Sequence, residues 1–204
     1  MKRTGKSDRL ANMKLRLNNQ YFILRHGQTS QQVKRKKFIY NWPDIPPAKL
    51  TEKGIGQIEK SAKKLTSQKI DLIYSSDIYR TRQTAGIVAK RLKVRVNFDK
   101  RLRDINLGVY HGRLKKDFYQ DFILSAKRFS QRPKGGESWS DLEKRLLNIL
   151  KEIEKKNQQK IILIVSHGDP LWLFQGIVRG WSKERLIKEV STKSYIKTGE
   201  LRRI

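Results

Sequence analysis

The sequence predicts an α/β layered fold with a largely parallel central sheet, and two observations carry that reading. Short apolar runs bounded by loops alternate with stretches of helical periodicity, the pattern of strands crossed over by helices. Two of those runs also end alike, in Arg25-His26-Gly27 and in Ser166-His167-Gly168. Ligands of such sheets bind beyond the carboxyl ends of the strands, so this shared ending marks a candidate site. At 204 residues, 37% of them apolar, the chain has material for one domain around one core.

Residues 1–19 show no sustained periodicity and carry six basic residues against one acid, which predicts a flexible basic arm ahead of a single domain over 20–204. Tyr21-Phe22-Ile23-Leu24 reads as a buried strand stopping at the first histidine. Residues 30–50, with Pro43, Pro46 and Pro47, read as a loop. Thr51 then caps a helix whose stripe is Ile55, Ile58, Ala62 and Leu65. Asp71–Ser75 reads as the next strand, and Ser76 or Asp77 as the cap of a helix carrying Ile78, Ala85, Val88, Ala89 and Leu92 on one side. Lys93–Phe98 alternates basic and apolar residues as a half-buried strand does. A turn-rich segment over 101–112 leads to a basic helical stretch at 114–130, part of a segment over 113–135 placed near the cleft. Trp139, Leu142, Leu146, Leu150 and Ile153 mark a long helix from about Ser138 to Lys156. Lys160–Ser166 is a fully apolar strand; a last helix or two follow, and Gly199–Ile204 suits an edge strand.

Lys and Arg number 47 against 19 Asp and Glu, a formal charge of +28, which favours polyanionic partners and says nothing of fold. The sequence has no cysteine, which excludes disulfides and thiolate metal sites. The longest clean apolar run, Ile161–Val165, is far short of the roughly 20 residues of a membrane span, so none is expected. The basic N-terminal stretch lacks the apolar segment of a secretory signal, and a cytoplasmic location is the simplest expectation.

Of three histidines, His26 and His167 occupy equivalent places, each after a strand and before a glycine, while His111 is expected at the surface. Arg25 adjoins His26, and Arg80 lies near the start of a helix that follows its own strand. Arginine grips phosphate oxygens through two bonds at once, and a helix N-terminus welcomes the same anion. Nearby cations also disfavour imidazolium, keeping His26 neutral as a nucleophile must be.

These residues fall in a series of motifs. Leu24-Arg25-His26-Gly27-Gln28-Thr29 resembles the RHG signature of the histidine phosphatase superfamily, the phosphoglycerate-mutase-like proteins. Leu50–Gln57 is similar to the family's helix start, and Ser76–Ala85 to its arginine-bearing segment. Leu102-Arg103-Asp104 through Gly108 to Gly112, the turn Gly136-Glu137-Ser138, and Val165-Ser166-His167-Gly168 complete the set, in family order over roughly residues 20–180.

The resemblance implies a three-layer α/β/α sandwich and a phosphomonoester hydrolase acting on small phosphorylated metabolites. His26 would take the phosphoryl group, with Arg25, Arg80 and His167 holding its oxygens and no metal or cofactor required. The family's acid is usually glutamate; here Asp104 stands at that position, one methylene shorter, and is favoured over Asp169 as proton donor. The acid-phosphatase branch has an aspartate directly after its second histidine, whereas Gly168 intervenes here. Gln28, Thr29, Gln32 and Gly168 are candidate substrate-binding residues. Only residues 113–136 separate Gly112 from Glu137, little material for a cap that would shelter a phosphohistidine, so hydrolysis is expected over mutase transfer. Two other classes are weaker. Phe38, Tyr40 and Trp42 beside the basic run 34–37 could stack on bases in a nucleic-acid binder, though no nucleic-acid motif accompanies them. A two-histidine metallohydrolase lacks a carboxylate at ligand spacing.

Overall fold

A computed structural model describes residues 16–122, 125–192 and 194–204. Its strands are β1 (Gln20–Arg25), β2 (Leu72–Ser75), β3 (Val96–Phe98), β4 (Ile161–Ser166) and β5 (Leu201–Arg203). They form one sheet in the order β3-β2-β4-β1-β5. The first four lie parallel and β5 closes the edge antiparallel to β1. The helices are α1 (Ser30–Lys34), α2 (Glu52–Leu65), α3 (Tyr79–Leu92), α4 (Lys115–Asp121), α5 (Trp139–Lys156), α6 (Gly168–Arg179) and α7 (Lys183–Ser191). None of the described helices is long and apolar enough to cross a membrane.

The apolar runs of β1 and β4 are continuous because both faces are covered. Tyr21, Ile23, Ile162 and Ile164 pack against Leu142, Leu146 and Ile149 of α5 and Leu171 and Phe174 of α6. Phe22, Leu24, Leu163 and Val165 point the other way, onto Ile58, Ala62 and Leu65 of α2 and Ala85 and Val88 of α3. Two cores on one sheet make the three-layer α/β/α sandwich the sequence implied.

Several local expectations change. Residues 30–50 are not all loop, because Thr29 and Gln32 form a reciprocal capping box that starts α1. Helix α3 begins at Tyr79 without a side-chain cap: Asp77 is held by Arg103 at 2.5 Å, and the Ser76 hydroxyl accepts the Ile78 N–H, ahead of the helix. Lys93 closes that helix in a left-handed conformation at φ 56, so strand β3 starts only at Val96. The helical stretch at 114–130 is broken: α4 ends where Phe118 and Phe122 both turn onto Tyr110, and a 3-10 turn covers Ser125–Phe129. Most of the basic arm, residues 1–15, lies outside the described residues. At its inner end Asn18 and Asn19 donate to Glu154 on α5 at 2.6 and 2.8 Å, so that end is docked on the domain.

The loop after β1 and the start of α2 meet backbone to backbone. A Cβ on Gly54 would stand 2.1 Å from the Gln28 carbonyl oxygen, whereas one on Gly56, a half-turn further on, would meet nothing within 4 Å. Gly54→Ala should therefore lose about 1–3 kcal/mol through forced displacement of the His26 loop. Gly56→Ala should gain up to about 1 kcal/mol from helix propensity. Thermal unfolding of the two variants checks the contrast; equal effects would contradict the packing.

Candidate active site

Strand pairing brings the two histidines together. Strands β1 and β4 run parallel with Arg25 opposite Ser166, so the next residue on each is a histidine. The His26 N–H closes the register on the Ser166 carbonyl at 3.1 Å. Both rings are buried, edge to face, with centroids 5.3 Å apart, close enough to touch one common anion.

Each ring is oriented by one bond. His26 Nδ1 lies 2.8 Å from the Gly27 carbonyl, which can only accept, so Nδ1 carries the proton. Nε2 keeps its lone pair and has no partner among the described residues. His167 Nε2 lies 3.0 Å from the Ser76 hydroxyl at the end of β2, and its Nδ1 is buried without a hydrogen bond. Burial is the largest cause holding both imidazoles well below their ordinary range, with Arg80 next for each and Arg25 adding to it. The neutral state expected for His26 from neighbouring cations is thus due first to desolvation.

The guanidinium groups stand beside them. Arg80, buried in the first turn of α3, lies with its Cζ 4.0 Å from the centre of the Tyr40 ring. Its two terminal nitrogens are each 3.5 Å from a carboxylate, one from Asp44 and one from Asp104. Arg25 spends one terminal nitrogen on the Ile196 carbonyl at 2.8 Å and has no carboxylate partner among the described residues. The Nε donors of Arg25 and Arg80 are, like His167 Nδ1, buried without a hydrogen-bond partner. Three unmatched buried nitrogens around two rings suit an anion with several oxygens. Thr84 locks the halves together, accepting from Gly27 N at 3.3 Å and donating to the Arg80 carbonyl at 2.8 Å.

Asp104 Oδ2 lies 3.8 Å from His167 Nδ1, and 36% of its side chain is exposed to the cleft. Asp169 sits further along the same cleft, where burial raises its carboxyl above the ordinary range and Arg128 opposes that rise. The remaining expected residues divide. Gln32 and Gly168 line the cleft, but Gln28 and Thr29 do not. Gln28 is tied to α2 through Gln57 at 2.9 Å, and Thr29 caps α1 while meeting the Tyr40 hydroxyl at 2.6 Å. His111 is half-buried rather than at the surface: it accepts the Leu107 N–H at 3.0 Å through Nε2 and so donates from Nδ1 to the Tyr40 carbonyl. The basic run 34–37 stands outside the cleft. Tyr40 and Trp42 line it, with guanidinium groups of Arg80 and Arg103 over their rings.

Four participants were not assigned to this site from sequence. Asp44 and Tyr40 come from a proline-rich loop with no periodicity to mark them, and Ser76 was read as a cap. Arg145 on α5 donates to the carbonyls of Arg101, Arg103 and Asp104 at 2.6, 2.9 and 3.0 Å and pairs with Glu137, fixing the segment that presents Asp104.

The family profile of the histidine phosphatase superfamily (branch 1) matches residues 21–194. The chain belongs to the histidine phosphatase superfamily. "Probable phosphoglycerate mutase GpmB" of Salmonella choleraesuis (strain SC-B67) is 30% identical over 176 residues, covering 82% of this chain and 79% of that one. Among solved structures, a mycobacterial glucosyl-3-phosphoglycerate phosphatase superposes with a TM-score of 0.74 at 22% identity, covering 89% of this chain and 88% of that one. The alpha-ribazole phosphatase of Shigella flexneri gives 0.72 at 22% identity, covering 89% and 88%. These likenesses establish the histidine phosphatase fold.

The depressed histidines set a pH dependence of stability. In the unfolded chain an imidazole titrates near 6.5, and in the folded chain well below it. Above that pH neither state is protonated and stability is full. Below it only the unfolded chain binds the proton, so stability falls by up to about 1.4 kcal/mol per pH unit for each histidine. Denaturant titrations from pH 7.5 to 5 should show this decline, and His167→Gln should flatten it. An unchanged slope in that variant would contradict a neutral buried His167.

Proposed function

We propose that this chain hydrolyses small phosphomonoesters through a phosphorylated His26. The observation that carries the reading is the pair of buried imidazoles 5.3 Å apart flanked by two arginines. Phosphoryl transfer needs positioning and charge stabilisation more than covalent machinery, and this arrangement supplies both. The His26 Nε2 lone pair forms a bond to phosphorus as the ester P–O bond breaks. Arg25, Arg80 and His167 Nδ1 donate to the three remaining phosphoryl oxygens as their charge rises. Asp104 gives its proton to the departing alkoxide, then takes one from the water that attacks the phosphohistidine. Inorganic phosphate leaves and His26 is neutral again.

Asp104 suits the acid role better than Asp169. It lies against both His167 and Arg80, whereas both contacts of Asp169 are to the outer wall, Arg128 at 3.4 Å and Trp139 at 3.5 Å. A proton donor matters most when the leaving alcohol is a poor one. Asp104→Asn should therefore slow an alkyl phosphate by about a hundredfold or more while slowing p-nitrophenyl phosphate far less. Equal losses on both esters, or the same selective loss in Asp169→Asn instead, would move the acid elsewhere. On the same substrates His26→Ala should abolish turnover and Arg80→Ala should cost about a hundredfold or more in kcat.

The likeness to a protein named as a phosphoglycerate mutase favours a second reading, transfer between positions of a phosphoglycerate. Transfer requires the phosphohistidine to be kept from water. Asp104, with 36% of its side chain exposed, is open to solvent, and among the described residues of 113–136 the helical cover is α4 and a 3-10 turn. Hydrolysis is accordingly the favoured outcome. With 3-phosphoglycerate and a bisphosphate primer, phosphate release should outrun isomerisation; the reverse would establish the mutase reading.

A further inference from the structure

The cleft extends well past the histidines, with a volume of about 710 Å³, on the scale of sites that hold drug-sized ligands. A phosphoryl group fills only its inner end. The outer wall is made by α4, the turn over Ser125–Phe129, and the first turns of α5 and α6.

The arginines of this wall are already matched. Arg103 is paired with Asp77 at 2.5 Å, Arg145 with Glu137 at 2.8 Å, and Arg128 with Asp169 at 3.4 Å. Arg128 is also fixed in place, its Cζ 4.0 Å from the centre of the Trp139 ring and 5.1 Å from that of Phe118. Lys115, at the start of α4, also faces the cleft, where burial is the largest cause lowering its ammonium below the ordinary range and Arg25 adds to it.

Asp169 is the group left incompletely bonded. Its side chain is 17% exposed, yet its two contacts, at 3.4 and 3.5 Å, both fall on Oδ2. Oδ1 has no hydrogen-bond partner among the described residues. Oδ1 is open to the cleft, where a ligand donor can take the place of water. Beside it the wall is aromatic: Tyr119, 56% exposed, feels the Asp169 charge, and Tyr195 lies so close to Gly168 that a Cβ there would stand 2.6 Å from its ring.

Building on the phosphatase reading, we infer that this outer wall selects the alcohol half of the ester. The group it fits is uncharged and flat, carries an N–H or O–H donor for Asp169 Oδ1, and lays its ring along Tyr119. That is the chemistry of a nucleoside monophosphate. A carboxylate-bearing alcohol such as a phosphoglycerate instead meets Asp169 and Asp104 with like charge and finds no unpaired arginine on this wall.

The test compares kcat/KM for adenosine 5′-monophosphate and 3-phosphoglycerate, with p-nitrophenyl phosphate as the probe of the phosphatase reading itself. Wild type should favour the nucleotide by about tenfold or more, the scale of one hydrogen bond to a charged group. Asp169→Ala should collapse that ratio. Should Asp169→Ala fail to fold, Tyr119→Ala at the exposed rim carries the test and should lower the ratio in the same direction. Equal or reversed preference in wild type overturns the inference while leaving the phosphatase reading intact, as does a ratio unchanged in the folded variants. Failure on all three esters, p-nitrophenyl phosphate included, overturns both.

Discussion

The parallel register of β1 against β4 is the constraint on which the site depends. Arg25 stands opposite Ser166, so the chain turns out of both strands at the same level and presents His26 and His167 side by side. A slip of one residue would send every apolar side chain of β1 to the opposite face of the sheet. Both faces are core, with Tyr21 and Ile23 on one side and Phe22 and Leu24 on the other, so such a slip is resisted from two directions. Neighbouring β2 adds Ser75 opposite Val165, which places Ser76 against His167. Geometry that serves an anion is thus inherited from packing that serves the core.

Electrostatics at the site run against ordinary stability. Two imidazoles are held neutral by burial, and two guanidinium groups are placed beside them. Arg80 is accommodated by Asp44 and Asp104, each at 3.5 Å, and by the Tyr40 ring, whose centre lies 4.0 Å from its Cζ. Such loose pairing leaves its donors able to turn to a stronger acceptor than either carboxylate. On the proposed phosphatase reading, a phosphoryl group offers that acceptor at the moment its charge grows, with little of the reorganisation that water would need. Arg145 has the opposite character: it is saturated by three carbonyls and Glu137, and it works as a brace for the segment bearing Asp104.

Much of this was legible in the sequence because it follows from local pattern. Continuous apolar runs over 21–24 and 161–165 and the stripes of α2 and α5 set the layers, and the motifs around His26, Arg80 and His167 set the pocket. What escaped was decided at a distance. His111 looked like a surface residue because nothing near it in sequence shows that it bridges Leu107 and Tyr40. Thr29 and Gln28 looked like ligand contacts, yet the Thr29 hydroxyl is used by the α1 cap and the Gln28 side-chain oxygen accepts from the Thr51 hydroxyl. The basic stretch at 114–130 kept helical spacing, but the clustering of Phe118 and Phe122 on Tyr110 ends the helix early. Asp44 and Tyr40 sit in a proline-rich loop, where periodicity carries no information.

All of this converges on one nitrogen, His26 Nε2, whose lone pair is left free by the bond from Nδ1 to the Gly27 carbonyl. The most direct measurement is to quench the enzyme at steady state with a phosphomonoester in alkali and examine it by 31P NMR and peptide mass spectrometry. The account predicts an acid-labile, base-stable phosphoramidate on the peptide that contains His26. Turnover with no phosphorylated peptide under any quench, or with the label on another residue, would contradict it.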